Sequence, residues 1–166
     1  MSDFVYLGID NQIDSKEVLA LAEKCNIEIT AVAWEVVLGS EKNVYALSLG
    51  SSYGVPNDCC IVTYDIYPLE TKNMTDFDQF SVEHKKMREK HVGYHPNFEA
   101  MKTYYKNLKS FLNKYLKISD KISFIANIGH DEEISINAKK HVFFEDITIE
   151  TFAFLQPNML LTITKK

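Results

Sequence analysis

The succession of elements legible in the sequence predicts an α+β domain on a largely antiparallel mixed sheet with about three helices. Three observations carry that reading. Strand-like segments come in runs and helix-like segments in a block, in the order β-α-β-β-β-α-α-β-β-β-β, which favours segregated layers over alternating βα units. The 166 residues suit one domain spanning 1–166, and no linker-like stretch divides them. Hydrophobic residues at 46% and charged residues at 25% match a globular composition, so neither disorder nor a coiled coil is expected.

Phe4 to Ile9 is short, β-branched and aromatic, and reads as a first strand. Asp14-Ser15-Lys16-Glu17 has the logic of a capping box, and Ile13 with Val18 can form a hydrophobic staple. Val18, Leu19, Leu21, Ala22 and Cys25 then recur at helical spacing, and Asn26 suits the stop. Ile27 to Leu38 alternates and then turns continuously apolar, which predicts a second strand, with Gly39 to Asn43 as a turn. Val44 to Leu49 and Cys59 to Tyr67 predict two more strands around the polar loop Gly50 to Asp58. The opening strand-helix-strand unit can supply one parallel pair by a crossover.

Thr75 or Asp76 can cap a helix running to His91, broken at Gly93. Phe98 to Lys117 is the clearest helix. Phe98, Met101, Tyr105, Leu108, Leu112 and Tyr115 recur every three to four residues, widened by Tyr104, Phe111 and Leu116. Ile122 to Ile128 and Glu133 to Ala138 predict a strand pair around Gly129 to Glu132. Val142 to Thr164 is β-rich, with Pro157-Asn158 as the turn between two final strands.

Asp3 stands where a signal peptide would carry lysines, and the uncharged stretch Thr151 to Thr164 is short and broken by Gln156-Pro157-Asn158. A spanning helix needs about 20 apolar residues, so the expected location is the cytoplasm. Cys25, Cys59 and Cys60 read as reduced thiols there, since adjacent strand residues point to opposite faces and bridge poorly.

No motif carries a clear chemistry. Gly50-Ser51-Ser52-Tyr53-Gly54 fits the G-x-S-x-G pattern of a nucleophile elbow. That chemistry needs a strand-to-helix turn, and Val55-Pro56-Asn57-Asp58 leads instead into another strand, so the match reads as an ordinary loop. His84, His91 and His95 lie close in sequence, but Gly93 interrupts the helix and no cysteine or carboxylate completes a zinc spacing. They read as solvated histidines. His130-Asp131-Glu132-Glu133 falls in a predicted turn, where charge is simply hydrated. Six glycines form no phosphate-binding loop or dinucleotide fingerprint. No metal, cofactor or catalytic residue is assigned.

Charge distribution says more. Residues 1–78 hold 13 acids against 4 bases, −9; residues 79–121 hold 4 against 10, +6; residues 122–166 hold 6 against 4, −2, within a net charge of −5. A cationic macromolecule is the complementary partner for the acidic section. The candidate contacts are Asp58, Asp65, Glu70, Asp76 and Asp78, with Asp131, Glu132 and Glu133 as a second patch. In being small, acidic, motif-poor and cytoplasmic, the chain resembles the immunity proteins of bacterial toxin systems. That resemblance of class implies a stoichiometric protein inhibitor of a basic toxin domain, a nuclease among the candidates, and no enzymatic activity. Two other readings remain: a small metal-independent enzyme or small-molecule binder with a scattered site, and RNA binding through the basic helices.

Overall fold

The computed structural model describes residues 3–32, 41–47, 98–128, 136–148, 151–152 and 158–166. Strands β1 (Asp3–Ile9), β2 (Ile29–Ala31), β3 (Asn43–Leu47), β4 (Lys121–Ile128), β5 (Ala138–Phe143) and β6 (Met159–Thr164) form one sheet in the order β2-β3-β1-β4-β6-β5. All neighbours run antiparallel except β5 and β6. The described residues also contain two α-helices, α1 (Ser15–Lys24) and α2 (Phe98–Tyr115), and a 3₁₀ turn at Phe144–Asp146.

Both ends of α1 follow from the local sequence. The Asp14 carboxylate accepts the Lys16 N–H at 2.8 Å, and Ile13 and Val18 both enter the core. At the other end Asn26 takes the left-handed conformation, φ 55. The Asn26 and Ile27 N–H groups then donate to the carbonyls of Glu23 and Ala22 at 3.0 and 2.9 Å, which closes the helix and reverses the chain. A short polar side chain tolerates this φ better than most residues do.

Alternation along the strands sorts the side chains onto two faces. Val5, Leu7 and Ile9 of β1 join Tyr45 and Leu47 of β3, Ile122 and Phe124 of β4, and Leu161 and Ile163 of β6 on the helix-covered face. From α2 that core takes Tyr104, Leu108, Phe111, Leu112 and Tyr115, with Leu116 just beyond the helix and Tyr105 partly buried against it; these belong to the predicted stripe, whose Phe98 and Met101 side chains are not among those described. Phe152 fills the space between helix and sheet, edge-on to Phe124 at 5.7 Å and to Tyr105 at 6.3 Å. Each fully buried apolar side chain of this size contributes about 1.5–3 kcal/mol of transfer free energy. On the opposite face Tyr6, Val44, Ile125 and Leu160 are buried as a second, smaller cluster.

The topology revises the expected strand neighbours. β1 and β2 are not neighbours, because β3 lies between them; the parallel pair is β5 with β6. Of the strand expected over Glu133 to Ala138 as partner of Ile122 to Ile128, Ala138 opens β5 and pairs with β6, while β4 has β1 and β6 as its described neighbours, whose apolar faces continue its own; Glu133 to Ser135 lie outside the described residues. Within Ile27 to Leu38 the described residues hold the strand Ile29–Ala31, and residues 33–38 lie outside them. The expected strand Cys59 to Tyr67 and the helix from Thr75 or Asp76 to His91 lie outside the described residues.

Candidate functional site

The predicted contacts Asp58, Asp65, Glu70, Asp76, Asp78, Asp131, Glu132 and Glu133 all lie outside the described residues, as do Ser52, His84, His91, His95 and His130. What the described residues do place is the framework on which charge is distributed. The strands from residues 3–47 fill one half of the sheet, and those from residues 121–164 fill the other.

Among the described residues of the first half, Asp14, Glu17 and Glu23 are exposed beside Lys16, Lys24 and Lys42, and Glu28 stands at the entry to β2. α2 exposes Lys102, Lys106 and Lys114, β5 exposes Lys139 and Lys140, and Lys165 and Lys166 follow β6, with Asp120, Glu145 and Asp146 exposed as well. Lys165 Nζ donates to Asn113 Oδ1 of α2 at 3.3 Å. The lysines of α2 point outward because its apolar stripe occupies the other face. Lysines therefore outnumber carboxylates among the exposed described residues from Lys102 onward, while the two are balanced on the first half.

A polar cap closes one end of the sheet, where β1 and α2 end and β3 and β4 begin. The buried Tyr115 hydroxyl accepts the Asp10 N–H at 3.1 Å, and Ser119 Oγ donates to Asp10 Oδ2 at 3.4 Å. Asn11 Oδ1 accepts the Lys42 N–H at 2.8 Å. Glu41 is buried, its side chain 5% exposed, and pairs with Lys121 Nζ at 3.1 Å, the lysine being 44% exposed. Burial pushes the Tyr115 hydroxyl above its usual range, partly offset by its hydrogen bonds to Ser119 and Asp10. Tyr45 behaves alike, raised by burial and partly offset by Ser15 and Asn43. With Tyr115 and Glu41 both withdrawn from solvent, this cluster joins four chain segments at one end of the sheet.

Among the described residues, a groove of about 190 Å³ lies between α1 and β2, lined by Leu19, Ala22, Glu23, Ile27, Glu28 and Ile29. Glu28 Oε2 is buried and accepts no hydrogen bond. Leu19, at 40% exposure, forms an apolar rim.

Glu41 and the groove both escaped sequence reading. Glu41 sits in a stretch that reads as a solvated turn, and its partner Lys121 is far away along the chain. For the groove, the helical spacing of Leu19 and Ala22 signals a core face but not where that face reaches the surface. Among the described residues no three His, Cys, Asp or Glu side chains converge as metal ligands, and no helix is long and apolar enough to cross a membrane. Comparison with protein-family models, curated proteins and solved structures finds no match to this chain.

Proposed function

We propose that the chain is a protein-binding inhibitor, an immunity protein that neutralises a basic toxin domain stoichiometrically in the cytoplasm by covering its cationic surface. The observation that supports this reading is the uneven charge along the chain, −9 over residues 1–78 against +6 over residues 79–121. The described strands of residues 3–47 occupy one half of the sheet, and Glu17 and Glu23 on α1 are exposed. Complementary potential of this kind speeds encounter and selects the partner. In this reading Asp58, Asp65, Glu70, Asp76 and Asp78, with Asp131, Glu132 and Glu133, supply the remaining carboxylates of the contact surface.

The test pairs the chain with the product of the adjacent gene, because antidotes are generally encoded beside their toxins. Co-expression should restore growth of cells producing that toxin. Reversing Asp58, Asp65 and Glu70 to lysine should slow association and flatten its dependence on salt. A failure to protect, with no complex formed, would remove the reading.

A second reading is favoured by the lysines of α2 and β5, which suit a polyanion such as RNA. Tyr104, Phe111 and Tyr115 of α2 are buried, so those three rings are not free to stack on bases. Binding of this kind would be steeply salt-dependent and indifferent to sequence, and retention on a polyanion column would reveal it.

A further inference from the structure

We infer that the seam between α2 and the end of β6 binds the phosphodiester backbone of an RNA strand, with Lys102, Lys106, Lys109 and Lys165 as its cationic contacts. The assignment rests on the RNA reading, to which it gives residues, and stands apart from the inhibitor reading. Two of these lysines are held in place by neutral groups. Lys109 Nζ lies over the Tyr105 ring, 5.8 Å from its centroid, and Lys165 Nζ lies 5.7 Å from the centroid of Phe144 while donating to Asn113 Oδ1 at 3.3 Å. Asn113 follows Lys109 by one turn of α2, which makes them neighbours on one helix face. Both ammonium groups therefore gather at one stretch of helix. Among the described residues the ion pairs are made by Lys121 and Lys166, so Lys109 and Lys165 keep their charge uncompensated. Glu145 and Asp146, which follow Phe144, are both engaged by Lys166, at 3.2 and 3.1 Å. Like charges brought together in this way repel, and an anion bridging them relieves the repulsion.

The rest of the surface selects the ligand. Lys102 and Lys106 are exposed and continue the row toward the start of α2, and the helix rises about 10 Å from Lys102 to Lys109. No acidic residue occurs from Lys102 to Ser119. A row of charges suits a chain of phosphates better than a single small anion. The exposed residues between the lysines include Thr103 and Ser110, whose hydroxyls can donate to phosphate oxygens. Leu108, Phe111 and Leu112 are buried in the core, so they cannot insert into a bilayer as an interfacial helix requires. Contacts of this kind hold a backbone without reading bases. The net charge of −5 belongs to the whole chain, and at physiological salt charges more than about 8 Å away are largely screened.

The experiment is fluorescence anisotropy of a short labelled oligouridylate titrated with the full chain at stepped salt concentrations. Four phosphate contacts should make log K fall against log salt with a slope of about −2.8. Lys109→Gln with Lys165→Gln should flatten that slope by about 1.4, with far-ultraviolet dichroism unchanged. Lys102→Gln with Lys106→Gln, both exposed, should flatten it equally and serves if the first pair misfolds. Lys16→Gln with Lys24→Gln on α1 removes the same charge and should leave the slope at its parent value. A slope unaltered by the seam variants, or flattened as much by the α1 pair, would overturn the assignment while leaving the RNA reading intact. Binding lost only when Lys139 and Lys140 of β5 are replaced by glutamine would do the same. No binding even at low salt would remove both. Polyglutamate or phosphatidylserine vesicles bound as tightly as the oligonucleotide would overturn the assignment in favour of an acidic protein or a membrane surface. None of these outcomes bears on the inhibitor reading.

Discussion

Replacing Lys121 by methionine tests the polar cap most directly, because it takes the cation away from a buried carboxylate and leaves the aliphatic packing almost unchanged. Unit charges 3.1 Å apart attract by about 5 kcal/mol at an effective dielectric of about 20. That gross figure overstates the loss, because Lys121 is 44% exposed and partly hydrated. Breaking a fully buried pair costs about 3–5 kcal/mol, and screening at the half-exposed lysine lowers the expectation here to about 2–3 kcal/mol. Glu41→Gln alone should cost about 1 kcal/mol or less, since Lys121 can turn to water. The double substitution should recover most of the K121M loss, because no charge is then left buried. Urea unfolding followed by circular dichroism measures all three variants, and a loss of about 2–3 kcal/mol corresponds to a drop of about 4–12 °C in Tm for a chain of this size. If K121M proves no less stable than E41Q, or the double variant is as unstable as K121M, the argument that a stranded carboxylate dominates is wrong.

Other perturbations give sharp expectations. Tyr115→Phe keeps the ring but removes the acceptor of the Asp10 N–H, and should cost about 1 kcal/mol, read as a lowered urea midpoint with unchanged slope. Asp14→Ala deletes the cap on the Lys16 N–H and should cost about 1 kcal/mol by the same measurement; an unchanged midpoint would mean the helix start is held by Ile13 and Val18 instead. Burial raises the phenols of Tyr6, Tyr45 and Tyr115, and pushes Tyr105 up to about 12. The folded chain therefore keeps these protons where the unfolded chain has lost them. Their contribution is intact below about pH 10 and is lost as pH rises above it, for Tyr105 as pH approaches about 12. Thermal melts at stepped alkaline pH should show that decline, less steep in Tyr105→Phe; identical slopes for variant and parent would contradict it.

Elements whose identity depends on local chemistry were readable from residues alone. Asp14 and Asn26 bracket α1 because capping and left-handed stops are made by side chains beside the helix they bound. Leu108, Leu112 and Tyr115 of the predicted α2 stripe are buried with Tyr104 and Phe111 beside them, since one face of an isolated period is enough to define it. Strand neighbours were another matter. β4 was expected to pair with the segment that follows it, yet its neighbours are β1 and β6, a choice made by matching apolar faces far apart in sequence. The charge division was legible because it is a property of long segments. Its layout over the sheet was not, since that required the strand order. Glu28 was missed for a related reason: a glutamate before a strand reads as solvated, and only the reversal at Asn26 brings its oxygen under cover.

The position of β6 bears on how the chain reaches its native state. Residues 159–164 are synthesised after every other described strand, yet they lie between β4 and β5. Until they emerge from the ribosome, β4 has an open margin and β5 has no backbone partner among the described strands. Two of the six described strands, β5 and β6, thus join the sheet only once residues 159–164 have been made, and the nascent chain carries an open β4 margin until then. A chaperone that shields such margins would raise the yield of folded protein, and a pause in translation just before residue 159 would favour aggregation.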